Sequence, residues 1–398
     1  MSKLTIKIGK SKACDSKAAG REAAQMALDR LEGATPKFAI IFATAGYDQD
    51  KLLEGITQVI GNIPSSGCSG EGVITSGGSD ESSCTVGVML FAGDSLQLQN
   101  YLVRGLKQDS YKCGSELAQN VNLQNKRERT TLFIFPDSMT ANTTEVLQAL
   151  NDNLEKHVAI LGGTSGDELK FQKTYQYHNG KVYTDSISAV CITGQYEIDW
   201  LVSHGCKEIG IEQVATKTDK NFLMEIDGTP AWDVFRGYLP GNPDVLKADD
   251  AFHLCLGELH HLDSPCGDQL IIRMPVQIEP KTGAVQFSVE IPEGTAIHLT
   301  KRDPKIIAER AIKDLEKLLG KNKGKKPIAV FQFDCAGRGN VIYKGKFNCQ
   351  VIEPLQNMLG NDVPWIGFHT YGEIAPLCGE VFFHNFTVVL AVLFEKGA

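Results

Sequence analysis

Three stretches of this chain follow one plan. Phe38-Ala-Ile-Ile-Phe-Ala-Thr44, Thr131-Leu-Phe-Ile-Phe-Pro-Asp137 and Ala329-Val-Phe-Gln-Phe-Asp334 are short apolar runs, each ending at a polar residue. Their length and their β-branched and aromatic content predict buried strands. A helical pattern follows each one. Asp48 to Ile60 carries Leu52, Leu53, Ile56 and Ile60 on one face. The second helix starts at Asn142 with Glu145 in capping-box position, followed by Val146, Leu147, Leu150 and Leu154; the third runs from Cys349 to Leu359. Next comes a loop with glycine beside an acid: Gly67-Cys-Ser-Gly70-Glu71, Gly163-Thr-Ser-Gly166-Asp167, and Gly367-Phe-His-Thr-Tyr-Gly372-Glu373. A closing strand ends each unit: Thr85 to Phe91, Ile187 to Thr193, and Phe386 to Phe394. From first strand to loop glycine the gaps are 26, 29 and 38 residues, and from that glycine to the closing strand 15, 21 and 14. Similar spacing in the same order indicates one supersecondary unit used three times.

The remaining segments fit around these units. Residues 16–32 read as an alanine-rich helix closed by Gly33. Asn179-Gly180 between Tyr175 and Tyr183 predicts a type I′ hairpin. Thr229-Pro230 reads as the start of a helix through Tyr238. Residues 253–300 are strand-rich, and Asp303-Pro304 opens a helix that Gly320 should end. The expected class is mixed α/β: two halves of twisted sheets with packed helices, stacked in an αββα arrangement. Residues 1–217 would hold two units, and residues 218–398 the third unit plus a strand-rich insert.

At 398 residues the chain can bury a core without staples. Its 11 cysteines are odd in number and none is spaced Cys-x-x-Cys, which disfavours disulfide frameworks and zinc ribbons. A net charge of −8 gives no global attraction for nucleic acid or an anionic membrane. The first residues lack the apolar core of a secretory signal, and the longest apolar run, Val381 to Phe394, is too short to span a bilayer. A cytoplasmic location is expected.

No strong catalytic signature is present. Gly67-Cys-Ser-Gly-Glu71 has Glu where a nucleophile elbow needs its last Gly, and Gly70-Glu-Gly72 lacks the third glycine of a dinucleotide fingerprint. The loops read better as ligand-binding edges at the ends of parallel strands. The candidates are Cys68, Ser69, Gly70 and Glu71; Ser165, Gly166 and Asp167; and Tyr371, Gly372 and Glu373. Asp137, Asp334 and Arg338 follow the first strands, and Arg338 suits a bidentate carboxylate contact. Taken singly, each loop is more often an ordinary turn. His253, Cys255, His260, His261 and Cys266 cluster within 14 residues. Adjacent histidines on a strand face opposite ways, so a compact metal site from this segment is not expected. A single haem axial ligand, His260 or His261, is the metal role left open.

With these segments in view, the chain resembles the FIST family of sensory domains, over roughly residues 25–395. The matching stretches are Gly67-Cys-Ser-Gly70, Gly162-Gly-Thr-Ser-Gly-Asp167, Tyr177-His-Asn-Gly-Lys-Val-Tyr183, Ile226-Asp-Gly-Thr-Pro-Ala231, Gly367-Phe-His-Thr-Tyr-Gly-Glu-Ile-Ala-Pro376 and His384-Asn-Phe-Thr387. The resemblance implies a FIST N half, a FIST C half and small-molecule sensing without enzymatic activity. Amino acids or related metabolites are the ligands it suggests. A stand-alone subgroup, NosP, binds haem and senses nitric oxide through a partner histidine kinase, and this chain is similar to that form. Output would then lie on a separate signalling protein, with a homodimer allowed. A Cys68- or Ser69-dependent enzyme and an interaction scaffold are the remaining alternatives.

Overall fold

The computed structural model describes residues 4–124, 130–262 and 267–396. The first unit runs β1 (Thr5–Ser11), α1 (Ser16–Asp29), β2 (Pro36–Thr44), α2 (Gln49–Ile60), β3 (Ser65–Gly70), the hairpin β4 (Val73–Thr75) and β5 (Gly78–Asp80), then β6 (Val86–Ala92). The second repeats this order: β7 (Leu96–Arg104), α3 (Ser110–Gln124), β8 (Thr130–Pro136), α4 (Thr143–Asn153), β9 (Val158–Gly163), β10 (Gln176–His178), β11 (Lys181–Tyr183) and β12 (Ser186–Gly194). The third opens with β13 (Tyr196–Ser203).

An insert follows: β14 (Lys207–Asp219), β15 (Phe222–Ile226), β16 (Thr229–Pro230), α5 (Ala231–Arg236), α6 (Ala248–His253), β17 (Leu254–Leu262), β18 (Gly267–Arg273), β19 (Pro275–Glu279), β20 (Ala284–Phe287) and β21 (Ala296–Lys301). The third unit then resumes with α7 (Pro304–Lys321), β22 (Pro327–Cys335), a 3-10 turn at Ala336–Arg338, α8 (Asn340–Tyr343), a π turn at Asn348–Ile352, α9 (Glu353–Leu359), β23 (Trp365–Thr370), β24 (Glu373–Leu377), β25 (Glu380–His384) and β26 (Val388–Glu395).

The three sheets of the units share one strand order, and each borrows its last hairpin. They run β1-β6-β2-β3-β10-β11, β7-β12-β8-β9-β24-β25 and β13-β26-β22-β23-β4-β5. In each, the central strand β2, β8 or β22 pairs parallel with β3, β9 or β23 and antiparallel with the closing strand β6, β12 or β26. Unit one gives its hairpin to unit three, unit two to unit one, and unit three to unit two. Every sheet edge that a unit would leave open beyond β3, β9 or β23 is thereby paired.

Mixed α/β is the class observed. The layering is three-way rather than the two stacked sheets of an αββα sandwich. The inner faces of all three sheets meet in one core around Phe42, Phe133, Phe135, Phe331, Phe333 and Phe368. Phe42 lies 5.2 Å from Phe135 and 4.6 Å from Phe368 between ring centroids, and Phe333 lies 5.8 Å from Phe368. The helices cover the outer faces: α1 and α2 on the first sheet, α3 and α4 on the second, α7 and α9 on the third. The insert adds a separate sheet, β18-β17-β21-β14-β15-β20-β19, with β16 paired to β15.

Several local expectations hold. The Asp48, Asn142 and Asp303 side chains cap their helices, and Asn179 and Gly180 take φ of 49° and 72°, as a type I′ turn needs. Others change. Position 217/218 lies inside β14, and the third unit already starts at β13, because β13 supplies the edge of the third sheet. Thr229-Pro230 pairs as β16, so α5 begins one residue later without a side-chain cap. Gly320 lies within α7, which ends at Lys321. Among the described residues nine cysteines are free and Cys378 is disulfide-bonded, so the chain has a disulfide although its cysteine pattern disfavours a disulfide framework. No helix among the described residues is long and apolar enough to cross a membrane.

Candidate functional site

One glycine per unit fixes which loop positions correspond. A Cβ on Gly67, Gly162 or Gly367 would stand 1.7, 2.1 or 1.9 Å from the carbonyl oxygen of Ile41, Ile134 or Gln332 on the neighbouring parallel strand. Aligned on these glycines, Glu71 corresponds to Gly166 and Tyr371, and Asp167 to Gly72 and Gly372. Glu373 stands where Val73 and Gln176 stand, each opposite the residue after the key glycine. The three acids are therefore not equivalent, contrary to the sequence reading. Their nearness in sequence to glycine hid an eight-residue difference in loop length in the second unit.

The loops do converge. The Glu71 N–H donates to the His369 carbonyl at 2.9 Å, Gly166 N–H to Ser69 O at 3.0 Å, and Tyr371 N–H to Thr164 O at 3.2 Å. Ser69 Oγ donates to Gly166 O at 2.8 Å and accepts from Tyr175 N–H at 3.0 Å. The Tyr371 hydroxyl donates to Asp167 Oδ1 at 2.7 Å and lies 3.3 Å from Glu71 Oε2. Asp167 also accepts from the backbone N–H of Phe171, Gln172 and Lys173 at 2.7–2.9 Å, which uses its acceptor capacity in its own loop. Glu71 accepts from Leu169 N–H at 2.6 Å, and burial pushes its carboxyl up to about 7.

The remaining loop candidates are also internally satisfied. Ser165 Oγ donates to Pro136 O and accepts from Gln176 Nε2. Asp137 accepts from Thr174 Oγ1 and from the N–H of Met139 and Asp185. Cys68 is fully buried and burial pushes its thiol well up, so it offers no ready thiolate. Gly70 and Gly372 make room for neighbouring side chains: a Cβ there would meet the Phe368 ring at 3.0 Å and the Phe383 ring at 1.9 Å.

Asp334, Arg338 and Glu373 form a second, fully buried group. Arg338 Nε donates to Asp334 Oδ1 at 2.7 Å, and Asp334 Oδ2 accepts from Gln332 Nε2 at 2.8 Å. The expected bidentate clamp on a ligand is thus partly used inside the protein. Glu373 accepts from Thr370 Oγ1 and Thr387 N–H, and burial pushes its carboxyl up to about 8.

His260 and His261 do point to opposite faces of β17, and neither fits a haem axial ligand. His260 Nε2 lies 3.2 Å from Glu258 Oε1, inside the Glu258–Arg273 ion pair. His261 Nδ1 pairs with Asp268 at 2.7 Å, and its side chain is 70% exposed. A haem-ligating histidine can give its second ring nitrogen to a carboxylate, so what does not fit here is the setting: an ion pair beside His260 and solvent around His261 in place of an apolar pocket. Cys266 lies outside the described residues, and no group of three metal-ligating side chains occurs among the described ones.

The opening beside the converged loops is a cleft of about 410 Å³ between the second unit, Tyr371 and the insert. Ser138, Met139 and Asn142 come from the segment after β8, Met274 and Val276 from β19 and its approach, and Phe171, Tyr371 and Phe383 close its wall. Phe171 stacks on Tyr371 at 4.8 Å. Ser138 Oγ is buried with no hydrogen-bond partner. Of these residues only Tyr371 was a sequence candidate. The rest carry no motif, since four distant segments supply them.

Comparison with known proteins places the chain. A FIST N domain model matches residues 37–229 and a FIST C domain model residues 231–376. An uncharacterized protein of Mycobacterium tuberculosis is 23% identical over 402 residues, covering 98% of this chain and 100% of its own length. Another, from Methanocaldococcus jannaschii, is 25% identical over 389 residues, covering 89% and 73%. A crystal structure of a chorismatase aligns over 99% of this chain and 98% of its own with 8% identity and a TM-score of 0.37. The two matched domain models together span most of the chain, which belongs to the FIST family of sensory, small-ligand-binding signalling proteins.

Proposed function

We propose that this chain is a non-enzymatic sensor whose ligand is an amino-acid-like metabolite bound in the 410 Å³ cleft. The carrying observation is the cleft's place: the insert forms one wall, and the junction of the three loops forms the other. A ligand there contacts both bodies, so occupancy can bias their relative position and be read by another protein. The lining suits an amphipathic molecule. Met139, Phe171, Met274, Val276 and Phe383 offer apolar surface, while the unpartnered Ser138 hydroxyl, Asn142 and Glu290 offer polar contacts.

The output protein is proposed to be a separate signalling partner, such as a histidine kinase. Nine free cysteines among the described residues suit a reducing cytoplasm, and the disulfide at Cys378 is the exception. The haem and nitric oxide version is not carried forward, because His260 lies beside the Glu258–Arg273 ion pair and the His261 side chain is 70% exposed, so neither ring faces an apolar pocket.

Thermal unfolding with a panel of free amino acids tests the reading. A ligand at 100 times its Kd adds about 2.7 kcal/mol. Val276 is half exposed at the cleft, so Val276→Arg should fold and abolish the ligand-dependent rise. A rise that survives Val276→Arg places the ligand elsewhere, and no rise with any amino acid removes this ligand class.

A further inference from the structure

A second cavity, of about 270 Å³, opens where β13 passes into the insert. Ser203, His204, Cys206 and Lys207 line one side, Ile306, Arg310 and Asp314 of α7 another, and Gln269, Leu270, Leu377 and His384 the rest. None of the candidate residues read from the sequence lines it. Arg338 lies directly behind: its Nη1 is 3.4 Å from Ser203 O and 3.5 Å from His204 O, and its Nη2 has no partner.

Cationic groups outnumber acids around this cavity. Arg338 is balanced by Asp334, and Arg310 by Asp314 at 2.7 Å. Arg302 is buried without any ion pair among the described residues. Its Nη1 and Nη2 donate to the carbonyls of Phe252 and Gly337, its guanidinium sits 3.9 Å over the Phe386 ring, and its Nε is unpartnered. Lys207 adds an exposed charge at the rim. A buried cation without a counter-charge is costly, and an anion nearby offsets that cost.

The uncharged donors point the same way. Ser203 is 2% exposed and its Oγ has no partner. His204 Nδ1 accepts from Cys206 N–H at 3.0 Å, so in the neutral ring the proton sits on Nε2, which can donate. Burial and the surrounding Arg310, Arg338 and Arg302 push His204 down to about 4, so the ring stays neutral at pH 7. His384 Nε2 is held by the Ala375 carbonyl at 3.2 Å.

We infer that this cavity binds the oxyanion head, carboxylate or phosphate, of a small ligand, held by Ser203, Lys207 and Arg310 in the field of Arg302 and Arg338. It is a site separate from the cleft beside Tyr371 and does not depend on that reading. An overall acidic chain has no reason to attract such anions except at a built pocket.

Titration calorimetry at constant ionic strength, with inorganic phosphate, succinate and chloride as probes, tests this. Saturable binding of phosphate or succinate, absent with chloride, is expected, and the stronger of the two identifies the head group. Lys207→Gln and Arg310→Gln should each weaken that binding about tenfold by removing a charge-assisted contact. Ser203→Ala removes a hydroxyl with no partner, so it should keep the unliganded melting temperature and still weaken binding several-fold. Val276→Arg should leave anion binding unchanged, which separates failure here from failure of the cleft. Equal, unsaturable responses to all three salts, or unchanged affinity in Ser203→Ala and Arg310→Gln, overturn the inference.

Discussion

The Tyr371 hydroxyl donates to Asp167 Oδ1 at 2.7 Å across 204 residues of chain. That bond joins the loop of the third unit to the loop of the second, and the same hydroxyl reaches Glu71 in the first. Tyr371 also stacks on Phe171, so its ring and its oxygen do different work.

Tyr371→Phe separates them. The ring stays and the bond to a buried carboxylate goes, at a cost of about 1.5–3 kcal/mol. Urea unfolding should show a lower midpoint with an unchanged slope. An unchanged midpoint would mean that the loops hold together without this bond.

Gly67→Ala and Gly367→Ala should each prevent folding or lower stability severely. Their Cβ would stand under 2 Å from a backbone carbonyl oxygen that the sheet pairing holds in place. Gly320→Ala is the contrasting case. It lies inside α7 with nothing within 4 Å, so alanine should add about 0.5–1 kcal/mol through helix propensity. Melting temperatures of the three variants decide both points.

The contribution of Glu373 and Glu71 to stability should fall as pH rises from about 4.5 to 8. Glu373 is pushed up to about 8 and Glu71 to about 7 by burial, against an ordinary 4.5. In that window the fold keeps protons that the unfolded chain has released, and each unit of difference is about 1.4 kcal/mol. Glu373→Gln mimics the protonated carboxyl. It should flatten the decline between pH 5 and pH 8 and be relatively more stable at the upper end. Parallel profiles for variant and parent would contradict the assignment.

The opposite sign holds for the buried histidines. His204 is pushed down to about 4 and His384 to about 3, against an ordinary 6.5. Their contribution is present above pH 6.5 and is lost as pH falls towards 3, because the unfolded chain binds the proton first. His384→Gln keeps a donor for the Ala375 carbonyl but cannot titrate. Its unfolding should be less sensitive to acid than the parent's, and equal sensitivity would count against His384.

The sequence by itself determined the three units, their strands, the capped helix starts and the Asn179-Gly180 turn. All of these are local: an apolar run, a capping side chain or an Asn-Gly pair acts within a few residues of itself. Only the tertiary structure decided the exchange of hairpins, which pairs Gly367 with Ile74 and Gly67 with Tyr177. The same long-range pairing showed that Glu71, Asp167 and Glu373 are not counterparts, and it buried Arg338 against Asp334 where the sequence suggested a bidentate contact with a ligand carboxylate. The cleft beside Tyr371 and the cationic cavity under β13 were illegible for the same reason. Their walls come from segments more than 100 residues apart, and no local pattern records which distant side chain will face them.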